Sequence, residues 1–225
     1  MFEQEVEMEQ RQSSVVPLLL IILMIISFVG VAGYYVIQNR KVLPTAEASN
    51  LIANSLKKDG PVTIQFRTGM VIASVADRPH GPGYQLLEKA GLVNIGKDKG
   101  RATPVTLTAQ GRKFLEELPG VSKTKDSKDG TDIYVVPVAE RALAGTPKVT
   151  MTGMGRATAE FQWAWAPNKM GEFLDASGPL VKSFNTWDRG TLIDKFNAKF
   201  YHGEATKATM AFSLGDKGWQ VAAAE

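Results

Sequence analysis

Twenty-three consecutive residues without a charge, Val15 to Ile37 ("VVPLLLIILMIISFVGVAGYYVI"), constrain this chain more than any other feature. As an α-helix they extend about 35 Å, against a bilayer hydrocarbon core of about 30 Å. Fifteen of them are Leu, Ile, Val or Phe, and at about −0.3 to −0.6 kcal/mol each they favour insertion by roughly 5 to 9 kcal/mol. Pro17 falls in the first turn, where a missing N–H breaks no helical bond. A cleaved signal peptide would carry a shorter apolar region, about 7–15 residues, behind a basic leader. The leader here holds four Glu and one Arg. The sequence therefore predicts a polar N-terminal tail over 1–14 and a retained single-pass transmembrane helix over 15–38. Its membrane-interface residues are Tyr34 and Tyr35, whose amphipathic rings suit the headgroup level, with Arg40 and Lys41 just beyond.

Two arguments bear on orientation. Arg11 precedes the span, whereas Arg40 and Lys41 follow it directly, with Lys57 and Lys58 further on. Counted literally, that bias puts the C-terminal part in the cytoplasm. Long domains, however, translocate largely regardless of charge, and an anchor ahead of an exported domain is the commoner plan. The reading adopted is a cytoplasmic (inner) membrane protein whose soluble part faces away from the cytoplasm.

The soluble part is modestly basic. Residues 1–14 carry −3, leaving +6 for the remainder of a chain whose total is +3. Such a charge suits an anionic lipid surface or nucleic acid without requiring either. The chain has no cysteine, which excludes disulfides, thiolate metal sites and Cys nucleophiles. There is no G-x-S-x-G, P-loop or H-E-x-x-H pattern. "GMGRAT" from Gly153 lacks a third glycine and lies between strands. The two histidines, His80 and His202, are isolated in sequence, a poor start for a metal site. Glu160, Glu172, Asp175, Asp188 and Asp194 show no spacing that singles out an acid–base pair. No catalytic, metal or cofactor set is expected. Trp163, Trp165 and Trp187 could make a binding platform, but core packing is the reading taken.

Along the chain, "TAEASNLIANSLKKDGP" reads as an amphipathic helix striped by Ala48, Leu51, Ile52 and Leu56 and stopped by Gly60-Pro61. "VTIQF" alternates as a strand. "YQLLEKAGLVNI" is a helix running into a strand, "KDKG" a turn, "ATPVTLT" a strand, and "AQGRKFLEEL" a helix closed by Pro119-Gly120. "SKTKDSKDG" reads as a solvated, charged connector. Strands dominate from Asp132: "DIYVVPV", "KVTMTG", "ATAEFQWAWA", and a closing hairpin "MAFSLGDKGWQV" turning at Gly215 to Gly218. Between them, Leu192, Phe196 and Phe200 have helical spacing.

The run "LEKAGLV", a basic turn, then "VTLTAQGRKFL" resembles the second half of a winged-helix DNA-binding domain, in particular of the MarR-type regulators, over about residues 84–118. By that likeness Lys97, Lys99 and Arg101 would stand at the wing tip and touch phosphates. The chain departs from the pattern where bases are read. The helix matching the recognition helix is about eight residues long, its one base is Lys89 near the far end, and "VTIQF" replaces the preceding helix-turn. A looser likeness, in the order of elements from Val105 onward, is to uncharacterised bacterial single-pass envelope proteins. The fold expected is α+β: the transmembrane helix, a winged-helix-like module over 45–120, a charged connector over 121–130, and an antiparallel β-rich module over 131–225. The function expected is that of a membrane-anchored, non-enzymatic interaction or accessory protein of the cell envelope. Its partners would be the lipid bilayer and a protein of the membrane or envelope. The alternative is a membrane-anchored DNA-binding regulator with its soluble part in the cytoplasm.

Overall fold

The computed structural model describes residues 17–34, 42–74 and 77–222. Helix α1, Pro17–Tyr34, is long and apolar enough to cross a membrane, and none of it is buried against the rest of the chain. Tyr34 is its last described residue; Tyr35, Arg40 and Lys41 lie outside the described residues. The remainder is α+β. An antiparallel sheet of eight strands has the order β2-β3-β1-β5-β6-β7-β8, with β4 beside β5. The strands are β1 (Val62–Ile72), β2 (Val93–Ile95), β3 (Ala102–Leu107), β4 (Ser122–Lys125), β5 (Asp132–Gly153), β6 (Arg156–Pro167), β7 (Thr206–Gly215) and β8 (Gly218–Val221).

Helix α2, Thr45–Lys58, follows the expected stripe: Ala48, Ile52 and Leu56 are buried one above another. Glu47 in its first turn and Lys57 and Lys58 in its last complement the helix dipole. It packs on the far half of the sheet, where Leu43, Ala48 and Ile52 join Ala157, Ala159, Phe161, Phe212 and Trp219 in one core. At its C-terminal end Asp59 pairs with Arg141 of β5. A second core surrounds the near half. Phe66, Val71 and Val136 meet Leu86 and Leu87 of α3 (Pro82–Lys89), Leu115 of α4 (Ala109–Glu117) and Leu192 of α7 (Thr186–Lys195). Helices α5 (Lys169–Phe173) and α6 (Pro179–Lys182) close it, through Met170 and Val181.

Strand β5 joins the two halves. The segments expected as separate strands, "DIYVVPV" and "KVTMTG", are one 22-residue strand. Its first half pairs with β1 on one edge and β4 on the other; beyond Ala139, β6 takes over from β4. The changeover leaves Val136, Pro137 and Val138 without a strand on that edge. Asn168 fills the gap: its Nδ2 donates to the Pro137 carbonyl at 2.8 Å and its backbone N–H to Val138 O at 2.9 Å. The same side chain caps α5. Gly171 is required there, because a Cβ would stand 2.5 Å from Val138 O and 2.6 Å from Pro167 Cβ.

Within the connector expected over 121–130, residues 122–125 are β4, hydrogen-bonded to β5, and 126–131 form a turn whose residues 127–130 are exposed. The segments on either side of it share the sheet through the β1–β5 pairing.

Candidate functional site

Helix α3, β2, β3 and α4 follow one another as expected from the "LEKAGLV…VTLTAQGRKFL" run. The Leu-Thr-x-x-Gly-Arg element has a packing reason. Thr108 caps α4 by accepting from Gly111 N–H at 2.8 Å, and its hydroxyl donates to the Gly91 carbonyl at 2.6 Å. Gly111 lets α4 rest on the strand before it: a Cβ there would lie 2.8 Å from the Leu92 carbonyl carbon and closer still to its oxygen.

Lys97, Lys99 and Arg101 all occupy the exposed β2–β3 turn. Asp98 fixes its base, accepting from Thr103 Oγ1 at 2.6 Å and sitting 2.8 Å from His80 Nε2. The Thr103 hydrogen bond first, then His80, hold the Asp98 carboxyl below the usual range. Arg78, His80, Asp98 and Arg101 border an open cavity of about 480 Å³ beside the turn.

Beneath this end, Arg67 of β1 gathers three carboxylates. Its Nη1 donates to Asp126 Oδ2 at 2.6 Å and lies 3.4 Å from Asp129 Oδ2; its Nε lies 2.9 Å from Asp77 Oδ2. Tyr84 completes the knot, accepting from Arg67 N–H at 2.9 Å and donating to Asp77 Oδ1 at 3.1 Å. Burial pushes the Tyr84 hydroxyl far above its ordinary range. The cluster ties β1, the segment before α3 and the β4–β5 turn together. Its charges pair with one another, so the cluster fastens these segments, although Arg67 Nε makes no hydrogen bond.

Of the candidate carboxylates, the structure brings Glu172 and Asp175 together at His202. Glu172 Oε2 lies 3.1 Å and Asp175 Oδ2 3.6 Å from His202 Nε2. The Glu172 hydrogen bond raises the His202 pKa, with a smaller contribution from Asp175. Ser177 Oγ donates to Asp175 Oδ1 at 2.6 Å. The hydroxyl therefore faces the acid and not the imidazole, whereas activating a serine nucleophile needs the hydroxyl on the base. Glu160 sits on the exposed side of β6, and Asp188 and Asp194 belong to α7. Among the described residues no group of three or more His, Asp or Glu could hold a metal ion.

The tryptophans divide. Trp163 and Trp165 are half-buried, packed edge-to-face at 5.2 Å, with the Arg141 guanidinium over both rings and Lys199 Nζ 5.2 Å from the centre of Trp165. Core packing describes these two. It fails for Trp187, which is 86% exposed on the first turn of α7. Asn185 starts that helix, accepting from Asp188 N–H at 2.9 Å, and so sets the indole on the solvent side. Beside it lies a groove of about 210 Å³ between α3 and α7, lined by Phe196 and Pro82 and by the charged Arg78, Lys195 and Asp188. The walls are tightly set: a Cβ on Gly83 would come within 2.7 Å of the Phe196 ring. Phe200, expected to continue a helical stripe, is exposed beyond the end of α7.

No protein-family model matches this chain, and no curated protein and no solved structure is found to be similar to it.

Proposed function

We propose that this chain is a membrane-anchored, non-enzymatic interaction protein of the cell envelope. Helix α1 is its single span, and the groove beside Trp187 is where it docks a protein partner. The observation that carries this reading is the exposed Trp187. Its indole buries little when the chain folds, yet it stands beside a preformed cleft lined by an arginine and a lysine as well as Asp188. Tryptophan and arginine are the side chains most enriched where binding energy concentrates. The groove suits an apolar side chain flanked by acidic residues on a protein of the same membrane or envelope. The anchor reading is supported by an α1 that buries nothing against the rest. A cytoplasmic-membrane location is proposed, with the soluble part outside the cytoplasm, on the plan of an anchor ahead of an exported domain.

A photo-crosslinking residue at Thr191, on the groove wall, tests the docking reading in intact cells. A discrete crosslinked protein that disappears with Trp187→Ala is the expected result. The same crosslinks from a probe at exposed Ser127 would refute it. A single cysteine at Ser127, labelled by an impermeant maleimide in spheroplasts, tests the orientation; labelling only after lysis would reverse it.

A second reading rests on a separate observation, the exposed Lys97, Lys99 and Arg101 beside the Arg78 and His80 cavity. It makes the chain a DNA-binding regulator with a cytoplasmic soluble part. It requires DNA affinity that falls steeply with salt and weakens when those three cations are neutralised.

A further inference from the structure

We infer that the tips of the β5–β6 and β7–β8 hairpins rest on the bilayer that holds α1; the inference depends on α1 being a span. Helix α2 fixes which end of the sheet faces the membrane. Its C-terminal end is held by the Asp59–Arg141 pair. Its 14 residues then run about 21 Å along β5, and Leu43, just before its start, is buried with Ala157, Phe212 and Trp219 near the hairpin tips. The tips are adjacent: Arg156 pairs with Ser213, and Leu214 N–H donates to the Gly155 carbonyl at 2.8 Å. From Ile37, the last residue of the uncharged run in the sequence, to Val42 is five peptide steps, at most about 18 Å. The start of α2, and the two tips with it, are therefore held close to the headgroups.

The side chains at that end fit such a surface. Met154 is 95% exposed at the β5–β6 turn. Met151 and Leu214 lie on the helix-bearing face of the sheet, opposite Ala157 and Trp219 respectively, yet α2 leaves both partly uncovered. Val42 is exposed ahead of α2, Arg156 is exposed at the β5–β6 turn, and Lys217 is exposed at the β7–β8 turn with Asp216 beside it. Apolar side chains among cations are what the interface of an anionic bilayer takes up. A tip contact in addition to α1 would fix the tilt of the sheet against the membrane.

The chain has no native cysteine, so single probes can be placed cleanly. The full chain, labelled with a polarity-sensitive dye at Met154→Cys, Lys217→Cys, Ser127→Cys or Leu23→Cys, is reconstituted in nanodiscs of phosphatidylcholine with phosphatidylglycerol. Quenching by lipids carrying a shallow nitroxide is compared with quenching by aqueous iodide. Probes at 154 and 217 are expected to be quenched by the lipid nitroxide about twofold or more above the probe at 127, and less by iodide. If either tip probe behaves like the one at 127 while Leu23→Cys reports lipid, the tip contact is overturned and the anchor stands. If Leu23→Cys itself reports water, the anchor reading and this inference fall together.

Discussion

Substituting alanine for Gly111 and, separately, for Gly190 should move stability in opposite directions, although both glycines are interior to helices. In an exposed helix, glycine to alanine gains up to about 1 kcal/mol from propensity. At Gly190 the new methyl meets nothing within 4 Å, so about 0.5–1 kcal/mol should be gained outright. At Gly111 the methyl must displace the Leu92 carbonyl, whose carbon would lie only 2.8 Å away. That carbonyl cannot swing aside, because it accepts the Thr108 N–H at 3.0 Å. Overpacking of this kind costs about 1–3 kcal/mol or more. Taking about 3 against a gain of about 1 leaves a net loss near 2 kcal/mol, or about 4–8 °C of Tm for a domain of this size. Thermal unfolding of the full chain in detergent, followed by near-ultraviolet circular dichroism, reads both. A Gly111→Ala protein as stable as the parent would refute the account of the Leu-Thr-x-x-Gly-Arg element as a packing device.

The Arg67 knot makes acid stability depend on Asp126 and Asp129. Their carboxyl pKa values are lowered in the fold, Asp126 mainly by the Lys128 N–H and Arg67, Asp129 mainly by Thr131. The stabilisation they supply is full above the unfolded carboxylate pKa, about 4, and fades as pH falls through the lower folded value. Asp126→Asn should flatten that acid limb in an unfolding series against pH. At His202 the sign is opposite: its raised pKa gives stability that is full below about 6.5 and lost as pH rises through the folded value. Titration of the His202 ring by NMR should give a pKa above that of a free imidazole, and Glu172→Gln should bring it down. Trp187→Ala should leave the unfolding free energy within about 0.5 kcal/mol of the parent, since the indole packs on little; a larger loss would mark it as structural.

Much of this architecture is legible in the sequence where one physical signal repeats. The uncharged run of α1, the Ala48–Ile52–Leu56 stripe of α2 and the alternation of β6 each announce their element. Strand β5 does not, because "AERALAGTPK" at its middle alternates on no single face. There the strand passes from one core to the other and changes its neighbour from β4 to β6. Strand β4 is four exposed residues, held by a ladder to β5 and not by an apolar pattern of its own. The Arg67 knot unites residues up to 62 positions apart, which no local pattern can reveal. The groove could have been suspected from one sign, a tryptophan in the polar helix start "NTWDRG", where periodicity offers it no buried face.

The length of β5 has a geometric meaning for any partner. At about 3.3 Å per residue its 22 residues amount to roughly 70 Å of contour. The β6 turn lies at one end, and the β4 turn, near the Arg67 knot, at the other. On the anchored docking reading proposed above, the sheet would work as a stand-off, holding a partner at Trp187 at a set height above the membrane. Removing two residues from β5 would shorten that reach by about 7 Å while leaving every side chain on its own face. Removing one would shorten it less but turn the strand over. Reach can thus be tuned only in steps of two residues, a constraint that a flexible tether of equal length would not impose.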